Sequence, residues 1–371
     1  FFFFFFFFFF FFFFFFFCFC WLFFFLFLVC FVGVVLLGVW FVFCVVFCSY
    51  LSLYILCLCF LRLLNALSEQ THQINTIYIV DNHSEDGTME MLLKQGIIVN
   101  NGISQSEFSG LWKGIRINYH YNDTNTGGSG GFEKVFKIAS SNNHDFLWAM
   151  DDDVLPEKDC LEILLSKIDE EHKVTFPSRT DENFTDHISV SYNLTNPFVF
   201  NVNGRYKKAY STELKEECVD TYAFPLEGPL FSMDIVRKVG YPDSCYFIMY
   251  DDSDYARRCL TETKIRYVKS ACLHKQIIPV KNDKFSWKVY YGYRNCFLYD
   301  MKYGKNIGVR KIRPFLIMVS TYLWNKYKRH NCLVANTVKI AYKDAISGKT
   351  GKTVEPGKIE EYLEENNLKI K

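Results

Sequence analysis

The stretch that most constrains this chain is Phe146–Glu157, FLWAMDDDVLPE. An apolar, aromatic run leads straight into three consecutive carboxylates, Asp151, Asp152 and Asp153, and Pro156 stops regular structure soon after. This is the pattern of a buried parallel strand ending at the carboxyl edge of an α/β sheet, where sheets of that class place ligands. Adjacent carboxylates repel one another, so three in a row cost stability unless a cation or water relieves them. Hard oxygen donors suit Mg²⁺ or Mn²⁺, above all when phosphates share the ion. The plain alternative is a solvated acidic turn, and the apolar Leu147, Trp148, Ala149 and Met150 just ahead argue against it.

The 371 residues suffice for one large domain or two smaller ones. A net charge of +1 gives no global signal for a nucleic-acid partner. Bulk composition misleads, because residues 1–60 hold 27 of the 41 Phe and seven of the 14 Cys. The other seven cysteines are scattered singly with no CxxC pair, which suggests reduced thiols in a cytosolic body rather than a disulfide framework or zinc site. Phe1–Phe17 is an unbroken run, and no charge appears before Arg62. Cys18–Phe60 is long enough for two membrane-spanning helices. It has no basic n-region or cleavage site of a signal peptide, and no loop charge to set an orientation. The run is instead expected to be a misread or frame-shifted translation of a T-rich stretch.

From Leu61 onward the pattern is that of an ordinary domain. Leu61–Gln70 has helical spacing, Thr76–Val80 reads as a short strand, and Met89–Gln95 as a helix. Between them Asp81 and Asn82 open a Ser/Asp/Gly turn, a setting suited to a nucleoside base or ribose and equally to plain helix capping. A strand at Arg116–Tyr121 precedes Asn125-Thr-Gly127-Gly128-Ser-Gly130-Gly131-Phe132, which leads into a helix at Glu133–Ser140. Glycines at such a junction let a backbone approach a ligand closely, and a helix N-terminus favours a diphosphate. No Gly-Lys-Ser/Thr follows, so this is not a P-loop.

Further on, Cys160–Asp169 is amphipathic, Val174–Phe176 and Ile188–Val190 read as strands, and Gly228–Gly240 as a strand and then a helix. Tyr246–Arg258, YFIMYDDSDYARR, repeats the opening logic: an apolar run ends at a strand edge in Asp251 and Asp252, and a helix follows. A carboxylate there can serve as a general base, or the pair simply caps the helix. Asp254, one turn on, is expected to matter far less. His274 closes an apolar run, and YYGYRN, with Arg294 and Asn295, precedes an aromatic helix at Cys296–Tyr303. Ile307–Tyr327 is apolar between basic clusters, too short to span, and suited to lying on a membrane surface or packing on another subunit. An exposed helix is expected at Lys358–Asn367.

VDNHSEDGT, NTGGSGGF, WAMDDD, FIMYDDSDYARR and YYGYRN occur in the order seen in family 2 glycosyltransferases, and Leu61–Lys352 resembles the bacterial galactofuranosyltransferase and rhamnosyltransferase branch. The resemblance implies a GT-A fold, α/β with a mostly parallel central sheet flanked by helices, plus C-terminal helices. It implies inverting transfer of a hexose, galactofuranose or rhamnose, from a UDP- or dTDP-linked donor to a cell-surface polysaccharide or glycolipid, with Mn²⁺ or Mg²⁺ as cofactor. By that resemblance Asp81 and Asn82 would face the nucleoside, and Asn125, Gly127, Gly128, Gly130, Asp151 and Asp152 the donor. Asp151, Asp153 and His274 would hold the metal, Asp252 would be the base with Asp251 beside it, and Arg294 and Asn295 would face the acceptor. The implied partners are the donor, a glycan or lipid-linked glycan acceptor, a membrane surface on its cytoplasmic face, and a second copy of the chain, with no nucleic acid. The expected organisation is a Phe-rich segment at 1–60, a transferase domain at 61–305 (donor half 61–155, acceptor half 156–305) and helices at 306–371. One departure stands out: nothing in 1–60 resembles the family's opening V-x-V-x-x-x-T-Y-N-R strand, so the sheet is expected to lack a strand. The contrasting expectation is a catalytically inactive family member acting as a scaffold.

Overall fold

A computed structural model describes residues 58–100, 102, 106–182, 184–277 and 285–368. Residues 1–57, on which the membrane-span and mistranslation readings fall, lie outside that set. Helix α1 (residues 58–68) leads to β1 (Thr76–Asp81), α2 (Thr88–Lys94), β2 (Val99–Asn100), β3 (Glu107–Trp112) and β4 (Ile115–Tyr121). These strands form a four-stranded sheet in the order β1-β4-β3-β2. β1 and β4 run parallel, from Thr76 beside Arg116 to Asp81 beside Tyr121. β3 and β4 are a hairpin whose two turn residues, Lys113 and Gly114, both have φ in the left-handed region (46° and 88°), as the twist of a two-residue hairpin demands. Leu63, Leu64 and Leu67 of α1 meet Ile117, Tyr119 and Leu92 in one apolar core.

The second half comprises α3 (Gly127–Ser140), β5 (Phe146–Trp148), β6 (Val154–Pro156), α4 (Cys160–Ser166), β7 (Val174–Ser178), β8 (His187–Tyr192), β9 (Tyr206–Tyr210), β10 (Cys218–Thr221), β11 (Leu230–Ser232), α5 (Met233–Val239), α6 (Asp251–Cys259) and β12 (Ile265–Lys275). Its sheet runs β10-β12-β7-β11-β5, with β6 added along the end of β12. Phe136 of α3, Phe231 of β11 and Tyr255 of α6 pack edge-on or tilted to one another at the centre of its core.

The α/β class is as expected, but the sheet is mixed rather than mostly parallel. Among the described residues only the β1–β4 and β12–β7 pairings, of nine, are parallel. β5, expected as a buried parallel strand, is three residues long and pairs antiparallel with β11. It ends the second sheet as β1 ends the first, and no described strand joins them. The reason is local: β11 runs opposite to β5 and β7 and lies between them, so the two parallel strands never touch.

The chain closes in α7 (Lys288–Tyr303), α8 (Arg313–Leu323), α9 (Cys332–Ile346) and α10 (Ile359–Glu365). α7 begins eight residues before its expected start, since YYGYRN is buried helix rather than a loop. No described helix is long and apolar enough to cross a membrane. Asp300 on α7 gathers the neighbouring elements. It accepts from Arg313 Nε at 2.8 Å and Arg205 Nε at 3.0 Å, with all three side chains fully buried. The Arg205 guanidinium also lies over the rings of Tyr192, Tyr250 and Tyr299.

Candidate active site

Strand direction sets the site. β5, β7 and β12 point the same way and β11 opposes them, so one rim of the second sheet gathers the exits of three strands and the entry to the fourth. Asp151–Asp153 follow β5, Arg179 follows β7, Lys275 ends β12, and Glu227 stands just before β11. Backbone bonds hold them together: Gly228 N donates to Ala149 O at 2.8 Å, Ala149 N to Pro229 O at 3.0 Å, and Gln276 N to Asp153 O at 2.8 Å. Gly228 has φ 97°, and a Cβ there would lie 2.8 Å from Pro177, so this close turn admits only glycine. Glu227 accepts from Arg179 Nη1 at 2.8 Å and from Lys275 Nζ at 2.9 Å. Arg179 also forks onto Asp186.

The first sheet supplies Asp81 at the carboxyl end of β1. Its carboxylate accepts from Ser84 N at 2.7 Å and from the Tyr119 hydroxyl, and it lies near enough for its charge to raise the Asp152 pKa. Asn82 is spent on scaffolding. It donates to Gly127 O at 2.8 Å and accepts from Thr126 N at 3.0 Å and Asn122 Nδ2 at 3.1 Å, while Asn125 accepts from Gly127 N at 2.8 Å. The glycine-rich turn proves to be helix: α3 starts at Gly127, six residues before the expected Glu133. Packing divides its glycines. A Cβ on Gly127 (φ 73°) would sit 2.0 Å from Phe247 O, and one on Gly130 would sit 2.5 Å from the Thr126 side chain, whereas Gly128 and Gly131 face open space. Of these, Gly128 lies in the first turn of α3, where its backbone N–H has no intrahelical acceptor and is open to an incoming anion.

The second acidic pair does not end a strand. Ser244–Tyr246 is a short 3-10 turn, after which Phe247, Met249 and Tyr250 all have left-handed φ (63°, 66° and 72°) before α6 begins at Asp251. Such a run is costly, and buried donors hold it. The Asn295 amide donates to the carbonyls of Tyr246, Ile248 and Met249 at 2.8–2.9 Å, and Arg294 donates to Tyr246 O at 3.0 Å and Gly351 O at 2.7 Å. Arg294 and Asn295 are thus wholly buried loop ties. Asp254, expected to matter little, is fully buried and accepts from Tyr246, Lys302, Tyr303 and Arg258. Its place is structural, because it fastens α6 to α7.

Asp251 is buried beside the Ser129 hydroxyl, and burial followed by the Asp252 charge raises its pKa. Burial also raises Asp252, opposed by Ser253 and Arg179 and assisted by Glu227. Asp252 Oδ1 accepts from Ser253 N at 2.6 Å and Ser253 Oγ at 3.2 Å, and Oδ2 accepts no hydrogen bond from the described residues. Glu227 is held ionised: burial would raise it, but Arg179 and Lys275 bring it below the usual carboxylate value.

Burial, then Glu227, Asp153 and Asp152, push the Asp151 carboxyl up to about 8 against the pull of Lys275. The Asp151 carboxylate accepts no hydrogen bond from the described residues. A half-buried carboxylate without a donor fits a cation. Among the described residues no group of three or more His, Cys, Asp or Glu is spaced to hold a metal alone. Asp151 and Asp153 therefore fit an ion completed by ligand phosphates and water, the manner in which Mg²⁺ is commonly held. A carboxyl raised by folding destabilises progressively as pH climbs from its unfolded value, about 4, to its folded one. Asp151→Asn should accordingly leave the metal-free melting temperature unchanged near pH ~4 and raise it near pH ~8. Calorimetry in chelator checks this, and an equal effect at both pH values would refute it.

His274 stands apart from these acids. Side chains alternate along a strand, and Lys275 faces Glu227 and Asp153. His274 turns to the other face, where Nε2 meets Glu157 at 2.8 Å and Nδ1 meets Asp181 at 3.1 Å. In this arrangement the residue of β12 that meets the acidic rim is Lys275. Arg179, Glu227 and Lys275 escaped the sequence reading. Each sits close to a strand end, but strand pairing had to be known before those ends could be assigned to one rim.

Residues 45–224 match the family model Glycosyl transferase family 2. The family 2 match opens inside the segment 1–60, where no counterpart of the family's first strand was apparent, and residues 45–57 lie outside the described set. It takes in Asp81, the glycine-rich start of α3 and the acidic triplet, and stops short of Asp251. No curated protein matches the chain. Among solved structures, a crystal structure of GalNAc-T7 with UDP, GalNAc and Mn²⁺ is similar with a TM-score of 0.42 at 11% identity, over 68% of this chain and 51% of that one. The chain thus spans about half the length of that structure.

Proposed function

We propose that this chain is an inverting, metal-dependent glycosyltransferase that moves a hexose from a UDP- or dTDP-linked donor to a growing cell-surface polysaccharide or glycolipid, with galactofuranose or rhamnose the expected sugar. One observation carries the reading: two carboxylate clusters share a rim with a fixed Arg179–Glu227–Lys275 network, and each retains oxygen atoms that no described residue engages. The family 2 match over the donor half supports it.

In this scheme Asp81 meets the nucleoside, and the open backbone N–H at Gly128, in the first turn of α3, faces the diphosphate. A divalent ion on Asp151 and Asp153 would neutralise charge as the nucleotide departs. Asp252 Oδ2 takes the proton of the acceptor hydroxyl, whose oxygen bonds to the anomeric carbon from the face opposite the breaking bond to phosphate. Glu227 stays ionised between its two cations and fixes Lys275 beside Asp153.

Hydrolysis and transfer across a panel of nucleotide sugars, with Mn²⁺, Mg²⁺ or chelator, tests the proposal. Turnover of one donor that chelator abolishes, with product of inverted anomeric configuration by NMR, is expected. A second reading, an inactive scaffold, draws on β1 and β5, each of which ends its sheet among the described residues. Donor binding without turnover of any sugar would favour it.

A further inference from the structure

We propose that α8 and the loop at 196–200 form a docking face for an anionic lipid surface, with the helix lying flat among the headgroups. Large apolar side chains stand exposed along it and the turn that follows: Phe315, beside Tyr342, is 48% exposed, Leu323 46%, Trp324 54% and Tyr327 64%. Phe198 and Phe200, at 67% and 53%, extend the same face. Their loop is fixed to the helix, because Ser320 Oγ donates to Phe200 O and Arg313 Nη1 donates to Asn193 O at 2.6 Å.

Charge identifies the partner. From Met301 to Lys343 there are ten Lys and Arg and no Asp or Glu. Arg310 and Lys311 flank the N-terminal end of α8, and Lys326, Lys328 and Arg329 the other, so the basic groups bracket the apolar face. None of these five forms an ion pair with a described residue. The two clusters lie about 22 Å apart at 1.5 Å per residue, which suits a helix parallel to a surface rather than across it. The Lys326 ammonium lies over the Tyr322 and Tyr327 rings and donates to the Tyr322 hydroxyl at 3.0 Å, which sets a cation directly beside the aromatic groups of the face. Amphipathic helices with Trp and aliphatic groups on one side and unpaired basic residues beside them bind interfaces in this way. A second copy of the chain would bring two acid-free faces together and leave all these cations opposed.

The proposal stands independently of the transfer chemistry. Its test uses the full chain with vesicles of phosphatidylcholine, with and without phosphatidylglycerol, read by hydrogen–deuterium exchange. Residues 196–200 and 307–329 should be protected only with the anionic vesicles, and high salt should remove the protection. Lys326→Gln/Lys328→Gln/Arg329→Gln should weaken the anionic-lipid-dependent binding by roughly a hundredfold, at about fivefold per cation. Phe315→Ser/Trp324→Ser should likewise weaken binding to the anionic vesicles, and a thermal melt verifies that each variant folds. Partition through residues 1–57 alone would be insensitive to salt and would leave this face exchanging freely, overturning the proposal. Protection that grows with protein concentration in the absence of lipid would overturn it too, in favour of a second copy.

Discussion

Asp252→Asn is expected to lower sugar transfer by about 10²–10⁴-fold, the usual cost of removing a positioned general base. The amide retains an oxygen to accept from Ser253 N and Oγ, so the start of α6 should keep its shape. It places NH₂ where Oδ2 stood, and that group cannot take a proton. Because burial raises the Asp252 pKa, the change removes a strained charge, and the melting temperature should hold or rise. Donor and metal affinity should likewise be near the parent's, so the loss falls on turnover. In the parent the base must be ionised, and because burial raises its pKa the acid limb of the pH–rate profile should lie at higher pH than for an exposed aspartate. Kinetics with a titration of donor binding decide the matter. Near-parental transfer by Asp252→Asn would move the base elsewhere, with Asp251 the next to test.

Asp300→Asn should act on the opposite quantity. Arg205, Asp300 and Arg313 are buried together, so neutralising the one acid leaves two guanidinium groups facing each other without their counter-ion. Breaking a buried pair by removing one partner typically costs about 3–5 kcal/mol. In a chain of this size that amounts to a fall of roughly 5–10 °C in melting temperature. Activity should decline as well, for a traceable reason. Arg205 Nη1 donates to Tyr250 OH at 2.7 Å, and Tyr250 is the left-handed residue from which α6, Asp251 and Asp252 depart. Thermal melts by circular dichroism, set beside transfer rates, separate the two variants: Asp252→Asn loses rate alone, Asp300→Asn both. A melting temperature within about 2 °C of the parent would mean that the three side chains are not the buried ionic centre described here.

Much of the local architecture is written into the chain as periodicity. The α1 leucines, the β-branched run of β1, and the junction of apolar strand and acids at Phe146–Asp153 all occur close to where alternation and helical spacing put them. Neighbours one to four residues apart decide those features. Asp81, Asp151 and Asp252 were legible as chemistry because unpaired carboxylates beside apolar runs are conspicuous in any fold. Facing and pairing were not. Whether Lys275 or its neighbour His274 meets the acidic rim depends on the register of β12 against β6, and a one-residue slip exchanges them. Glu227 becomes part of the site only because β11 runs against β5 and β7, a choice made by partners 55 to 86 residues away. The Phe247–Tyr250 run reads as a strand by composition, and buried Asn295 and Arg294, nearly fifty residues later, help hold Phe247, Met249 and Tyr250 at left-handed φ instead. Arg205, Asp300 and Arg313 look like three unrelated surface charges in one dimension. Only a tertiary interior, where each must find its partner or suffer the cost of desolvation, turns them into one centre.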